Sequence, residues 1–320
     1  MPKVLYFNDL RHWYLYALEP PLSMADVVLP VTEIAGCGVD SLCVQVDGGS
    51  GLWYPSKVGR RHLRNAPVDE NGVYTPDGVW SGDGLDGDIG SIRWRAWQSL
   101  ATLEQNGVDL LAELIREAHA QDMELHASLR MGVIPDMDPA WNVLNGGKGL
   151  GEPAMMDYQL AVLTELIVDW GVDGVELDFA CPGGTAWFFP QDEGATYSGH
   201  LTELLRAVAE VARGHSTSGK LAKGSKATIG VHIYPTLEMN TRHGIDIQTW
   251  IDAGLCDWVM VSYYPFFGLD CDMDLDWLTN MRMTSLGGSP KSRPKFTEVI
   301  GRINPWIRDG SEYVRHYTSG

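Results

Sequence analysis

The segment Asp169-Trp-Gly-Val-Asp-Gly-Val-Glu-Leu-Asp178, followed by Phe179, constrains the fold more than any other part of the chain. A helical stretch ends at Gly171, Asp173-Gly174 forms a turn, and Val175 to Phe179 reads as a short buried strand. Glu176 and Asp178 stand two residues apart, so their side chains share one face of that strand. In a closed parallel barrel that face is the lumen, where an unpaired carboxylate is costly. Two acids there mark either a site or a structural ion pair with an arginine or lysine.

Other strands are legible on both sides of this one. Val4 to Phe7 ends in Asn8-Asp9, and Ser41 to Val46 ends in Asp47-Gly-Gly. Met123 to Met131 alternates Glu124, His126, Ser128 and Arg130 with apolar residues, an unusual polarity for a buried parallel strand. One of its faces must line a polar lumen, with Arg130 nearest the C-terminal end. Thr228 to Tyr234, Trp258 to Tyr264 and Lys295 to Ile300 are the later candidates. Helical spacing covers Trp94 to Gln105, Val108 to Gln121, Met156 to Trp170, Gly199 to Arg213 and Asp246 to Ala253. Met24 to Gly36 also suits a helix, interrupted by Pro30.

Strands alternating with helices imply βαβ units and a parallel sheet. No GxGxxG turn or Gly-Lys-Ser/Thr loop supports nucleotide binding. The expected fold is therefore α/β, a (β/α)8 TIM-type barrel forming a single domain over residues 1–320. Long loops are expected at about 48–92, 132–152 and 180–197. After Ile300, Trp306, Ile307, Tyr313 and Val314 do not spell a helix and then a strand, so the barrel is expected to be irregular or incomplete at its C-terminal end.

Composition bounds the partners. The formal net charge of -18 argues against nucleic acid or an anionic membrane and suits a neutral or cationic substrate. No apolar run reaches the ~18 residues of a membrane span. The first residues read as a strand and not a signal peptide, so the expected location is cytoplasmic, or secreted or periplasmic if a leader has been removed. The five cysteines, Cys37, Cys43, Cys181, Cys256 and Cys271, have no CxxC spacing and read as reduced thiols. Nothing in the sequence sets the oligomeric state.

Gly-Val-Asp-Gly-Val-Glu-Leu-Asp-Phe resembles the fourth-strand signature of TIM-barrel glycoside hydrolases. It is most similar to bacterial glycosyl-hydrolase-like family-10 proteins, with their recurrent Asp-Gly-x-x-Leu-Asp and following aromatic. The Asn-Asp after the first strand, the Gly-Val-Asp before the second and the polar third strand extend the likeness over about residues 3 to 265. The resemblance implies a carbohydrate substrate and no cofactor. The related family-18 chitinase pattern, Asp-Gly-x-Asp-x-Asp-x-Glu, puts Ala180 where those enzymes need their general acid. In α-amylase-like retaining enzymes the fourth strand instead ends in the nucleophilic Asp, which corresponds to Asp178.

Glycoside hydrolysis uses two carboxyl groups flanking the bond, one a nucleophile or base and the other a proton donor. Asp178, at the C-terminal end of a barrel strand, is the candidate for the first role. Glu176, one layer deeper, either shares the chemistry or holds Arg130 or His126. Glu238 after the fifth strand, Glu298 on the seventh, and Asp270 or Asp272 after the sixth are the candidate donors. Asn8, Asp9, Asp47, Trp53, His126, Arg130, His232, Tyr234, Tyr263 and Tyr264 are the candidate substrate-binding residues. A His or Tyr in such a strand is alternatively a satisfied core residue, and the loop aromatics alternatively pin their loops to the body.

Two other classes remain. A catalytically silent barrel would bind a glycan through the same aromatics. A metal-dependent barrel hydrolase would want His-x-His after the first strand, where this chain has Asn8-Asp9; His126 and His232 with Asp178 could still bind one divalent ion, but no tight spacing supports it. The Asp270-Cys-Asp-Met-Asp274 run lacks the Gly and terminal Glu of an EF-hand and reads as a solvated loop.

Overall fold

A computed structural model of the chain describes residues 4–10, 14, 18–48, 51–59, 99–100, 102–132, 138–180, 189–190, 193–215, 226–261, 276–278, 298–303 and 313–317. Its centre is one curled sheet in which the strands follow sequence order. β1 (Leu5–Asn8), β2 (Ser41–Gln45), β3 (Glu124–Arg130), β4 (Gly174–Asp178), β5 (Thr228–Ile233) and β6 (Trp258–Val261) are parallel. β7 (Glu298–Ile303) adds in parallel, and β8 (Tyr313–Tyr317) pairs with β7 antiparallel. Cα atoms of β8 come within 8 Å of those of β1.

The six leading strands make a curled half-barrel compatible with a partial TIM-type barrel. At the C-terminal end the architecture departs from (β/α)8. An antiparallel strand needs only a short connection, whereas a parallel one needs a crossover of a dozen residues or more. That is why no helix-then-strand pattern follows Ile300. Of the expected strand Lys295 to Ile300, residues 298–300 fall in β7, and residues 295–297 lie outside the described residues.

The curl is evident from side chains that meet across the lumen. Leu5 and Phe7 of β1, Cys43 of β2, and Trp258 and Met260 of β6 form one buried apolar cluster. The ring of His126 on β3 lies 5.8 Å from that of Trp258, centroid to centroid. Two glycines make this approach feasible. A Cβ at Gly174 would fall 2.8 Å from His126 Nδ1, and one at Gly230 would overlap the Trp258 indole.

The helices cover the outside. α1 (Leu110–Ala120) buries Leu110, Leu111, Leu114 and Ala118, and Asp109 caps it by accepting from Leu111 N and Ala112 N. α2 (Pro153–Glu165) begins with proline at its first turn and widens into a π-turn over Leu166–Trp170, which Gly171 ends in the left-handed region at φ 67°. α3 (Gly194–Gly214) starts five residues before the expected Gly199, because its first turn is mostly exposed and carries no apolar stripe to read. α4 (Leu237–Arg242) and α5 (Ile247–Asp252) follow β5. The expected interruption falls at Val28, between two one-turn helices, Met24–Val27 and Leu29–Thr32, with Pro30 in the first turn of the second.

At the N-terminal end of the sheet one device recurs. Asp40, Asp173 and Asp257 each stand just before an even-numbered strand and bond one residue in, or immediately before, the preceding strand twice. Asp40 N donates to Val4 O and its carboxylate accepts from Val4 N; Asp173 does the same with Leu125, and Asp257 with Ile229. A left-handed glycine precedes each one: Gly38, Gly171 and Gly254. Asp173 also takes His119 Nε2 of α1 at 2.7 Å.

These clamps predict a graded loss of stability. Asp173→Ala leaves the buried Leu125 N–H unpaired and is expected to cost about 2–3 kcal/mol, whereas Asp40→Ala, whose partner residue Val4 is exposed, costs under about 1 kcal/mol. Urea unfolding of both variants beside the wild type checks the order; equal losses would remove the burial argument.

Candidate active site

The C-terminal ends of β1 to β5 bring buried polar groups to one mouth. Alternation places Glu176 and Asp178 on the lumen face of β4, as their spacing predicts, and both are fully buried. His232, opposite Asp178 in the pairing of β4 with β5, has Nδ1 3.0 Å from Asp178 Oδ1 and 3.7 Å from Glu176 Oε1. Cys43 Sγ, from β2 on the other side of β3, donates to Glu176 Oε2 at 3.5 Å. Arg130, paired with Asp178 along β3 and β4, bonds Asp9 Oδ2 through Nη2 at 3.1 Å. Its backbone N donates to Asp47 Oδ1 at 3.3 Å, and Gln45 Nε2 donates to the same oxygen at 2.7 Å.

The electrostatics follow from burial and an excess of acid. Asp47 is pushed up to about 6, first by burial and then by the charge of Asp178. Arg130, the Gln45 amide and the Arg130 backbone N–H pull the other way and do not overcome the desolvation. A carboxyl in this range can hold or release a proton near neutral pH.

Several expected residues occupy other places. Asn8 is buried but shares its face with Val44, Ala127 and Val175, so it turns toward the helices and not the lumen. His126 lies two layers below Arg130, bonded to Glu124 at 3.2 Å, in the base layer where Ser41 also bonds Glu124. It is thus separated from the His232–Asp178 pair, and among the described residues no group of His, Cys, Asp and Glu is arranged to hold a metal ion. Trp53 is buried against Tyr14, ring centroids 6.4 Å apart, and belongs to the core. Its neighbours explain this: Tyr54, Ser56 and the Lys57 backbone all bond Glu165 of α2, which pins residues 53–57 to the body.

Tyr234 is buried and stacks on His243 at 4.4 Å, with Asn240 gripping its backbone N and O. Glu238 is exposed in the first turn of α4. Tyr263, Tyr264, Asp270, Asp272 and Asp274 lie outside the described residues, as does the side chain of Glu298.

Two contributors were not anticipated. Gln159 of α2, fully buried, donates through Nε2 to Arg130 O and Met131 O and so fixes the end of β3. A glutamine inside an apolar helix stripe was the available signal. Gln45 was the other, two residues before Asp47 and therefore on the same face.

No family model and no curated protein matches the chain. Solved structures to which it is similar include the chitinase ChiW from Paenibacillus sp. str. FPU-7, at 9% identity over 91% of this chain and 29% of that one, with a TM-score of 0.45. The maltogenic α-amylase AmyB from Thermotoga neapolitana gives 10% identity over 81% of this chain and 49% of that one, with a TM-score of 0.39. A class V chitinase from Pseudomonas fluorescens Pf-5 gives 13% over 92% and 67%, with a TM-score of 0.42. These neighbours are glycoside hydrolases of low identity, and the chain spans less than half the length of the first two.

The position of Asp47 predicts a pH-dependent stability. Its folded value, about 6, lies above the ~3.9 of an unfolded carboxyl, so the native state holds the proton more tightly. The contribution is fully present below about pH 4 and is lost as pH rises through 6. Asp47→Asn, which carries no charge, is expected to be more stable than the wild type at pH 8 by up to about 3 kcal/mol, and the difference vanishes near pH 4. Denaturant titrations at the two pH values measure it.

Proposed function

We propose that the protein is a glycoside hydrolase acting on an oligo- or polysaccharide, with Asp178 as the nucleophile or base of the reaction. The observation that carries this reading is Asp178 itself: a buried, lumen-facing carboxylate at the C-terminal end of β4, oriented by His232 at 3.0 Å. The charge balance of the mouth fits the chemistry. Asp9, Asp47, Glu176 and Asp178 outnumber Arg130, and glycosidic cleavage passes through an oxocarbenium-like transition state whose positive charge such a surplus stabilises. Arg130, held by Asp9 and by the Gln159 grip on β3, keeps the surplus from dispersing the mouth and offers donors to sugar hydroxyls. Glu176, one layer below, orients His232 together with Asp178. The fourth-strand likeness to family-10 glycosyl-hydrolase-like proteins supports the same reading.

A second reading is favoured by one residue. Ala180, buried just past β4, stands where the chitinase pattern puts its acid, which leaves a glycan-binding barrel without turnover as the alternative.

Release of reducing sugar from a broad panel of oligo- and polysaccharides separates the two. Wild-type release that falls at least about a hundred-fold in Asp178→Asn, with circular dichroism unchanged, is the expected result. Equal release by both proteins removes Asp178 from the mechanism. Retained glycan binding with no release from either establishes the silent barrel.

A further inference from the structure

Asp47 holds a position at this mouth that substrate binding alone does not explain. It lies just past β2, on the face set by Cys43 and Gln45, and is buried with 1% of its surface exposed. Both hydrogen bonds from Gln45 and Arg130 go to Oδ1. Oδ2 is equally buried and has no hydrogen-bond partner among the described residues. An ionised oxygen left bare in the interior is costly, whereas a protonated one is a donor awaiting an acceptor.

The spacing suits a catalytic pair. β2 and β4 are separated by β3 alone, so their backbones run roughly 9–10 Å apart. The side chains of Asp47 and Asp178 both project into the lumen from there, flanking the Arg130 end of β3. Separations of roughly 6.5–9.5 Å leave room between two carboxyl groups for a glycosidic bond and a water. The groups facing Asp47 are Gln45 from its own strand, Arg130 with its partner Asp9, and Asp178 with its partner His232. Glu238, the described rival for the donor role, is exposed on α4.

We propose that Asp47 is the proton donor of this site and faces Asp178 across the mouth, an assignment that rests on the glycosidase reading above. As the bond between the anomeric carbon and the glycosidic oxygen breaks, its electron pair stays on that oxygen, which takes the Asp47 proton. A water oxygen bonds the anomeric carbon and gives its proton to Asp178. Asp47 leaves the cycle ionised and Asp178 protonated, and exchange with solvent restores both. The elevation of Asp47 to about 6 keeps it loaded at mildly acidic pH.

The test uses 2,4-dinitrophenyl and methyl glycosides of glucose, galactose, xylose and N-acetylglucosamine, because a dinitrophenolate leaves without being protonated and a methoxide does not. Asp47→Asn is expected to lose about a hundred-fold or more on the methyl glycosides while staying within about tenfold of wild type on the dinitrophenyl ones. The fall of wild-type kcat/KM above about pH 6 is expected to disappear in the variant. Asp178→Asn loses both substrate sets. An equal loss of both sets in Asp47→Asn, or an unchanged pH profile, overturns the assignment and leaves the hydrolase reading standing. Turnover of neither set by the wild type overturns both. Should Asp47→Asn not fold, Asp47→Glu takes its place: the displaced carboxyl is expected to slow methyl glycosides selectively and to shift the pH limb, and uniform loss again overturns the assignment.

Discussion

Register is the constraint on which the mouth depends. Side chains alternate along a strand, so a slip of one residue would turn Asp178, Arg130 and His232 out of the lumen and bring leucines and valines in. The aspartate clamps lock register at the opposite end of the sheet. Asp173 fastens Leu125 of β3 by two bonds while its own carbonyl accepts from Thr228 of β5, so one residue aligns three strands. Asp40 likewise joins Val4 to Glu124. Each clamp needs the chain to leave a left-handed glycine at a fixed angle, which is why glycine and aspartate recur together. The chemistry at the C-terminal end and the alignment at the N-terminal end are thus two consequences of the same pairing.

Between these ends the lumen is graded. At its base Glu124 joins two neighbours, accepting from Ser41 Oγ and bonding His126 Nε2. Above it Trp258 fills the centre through the space left at Gly174 and Gly230. The uppermost layers gather Asp9, Asp47, Glu176 and Asp178 around Arg130. This order explains how one polar strand, β3, contributes a structural histidine and a mouth arginine four residues apart.

The β4 acids, the parallel αβ alternation and most strand positions were legible because each rests on local periodicity or on the spacing of two residues. The clamp sequence Gly-Val-Asp was visible twice, before β2 and before β4, but its meaning was not: a bond from Asp173 to Leu125 joins residues that only the sheet brings together. Acids after the later strands look functional by polarity alone, whereas what marks Asp47, its burial together with the Oδ2 left without a hydrogen bond among the described residues and the charge of Asp178 acting on it, is set by the sheet and not by local spacing. Trp53 resembled a sugar platform until Glu165 of α2, more than a hundred positions away, pinned its neighbours. His126 looked like a mouth residue because alternation reports the face and not the depth. β8 escaped since an antiparallel return leaves no crossover helix to find.

Burial imposes a cost and, on the proposed reading, supplies the reactivity through the same physics. Removing water from Asp47 and Asp178 makes their charges repel more strongly and weakens the native state whenever both are ionised. At Asp47 the charge of Arg130 and the hydrogen bonds from Gln45 and the Arg130 backbone lower that cost without overcoming the desolvation, so the carboxyl stays pushed up to about 6. A second cation beside Asp47 would lower the cost further and favour its ionised form, removing the proton that the proposed donor role requires. Replacement of the acids by apolar residues would stabilise the barrel further and erase the site. The mouth is therefore held at a partial balance, and the tightly clamped base of the sheet is what lets the fold tolerate it.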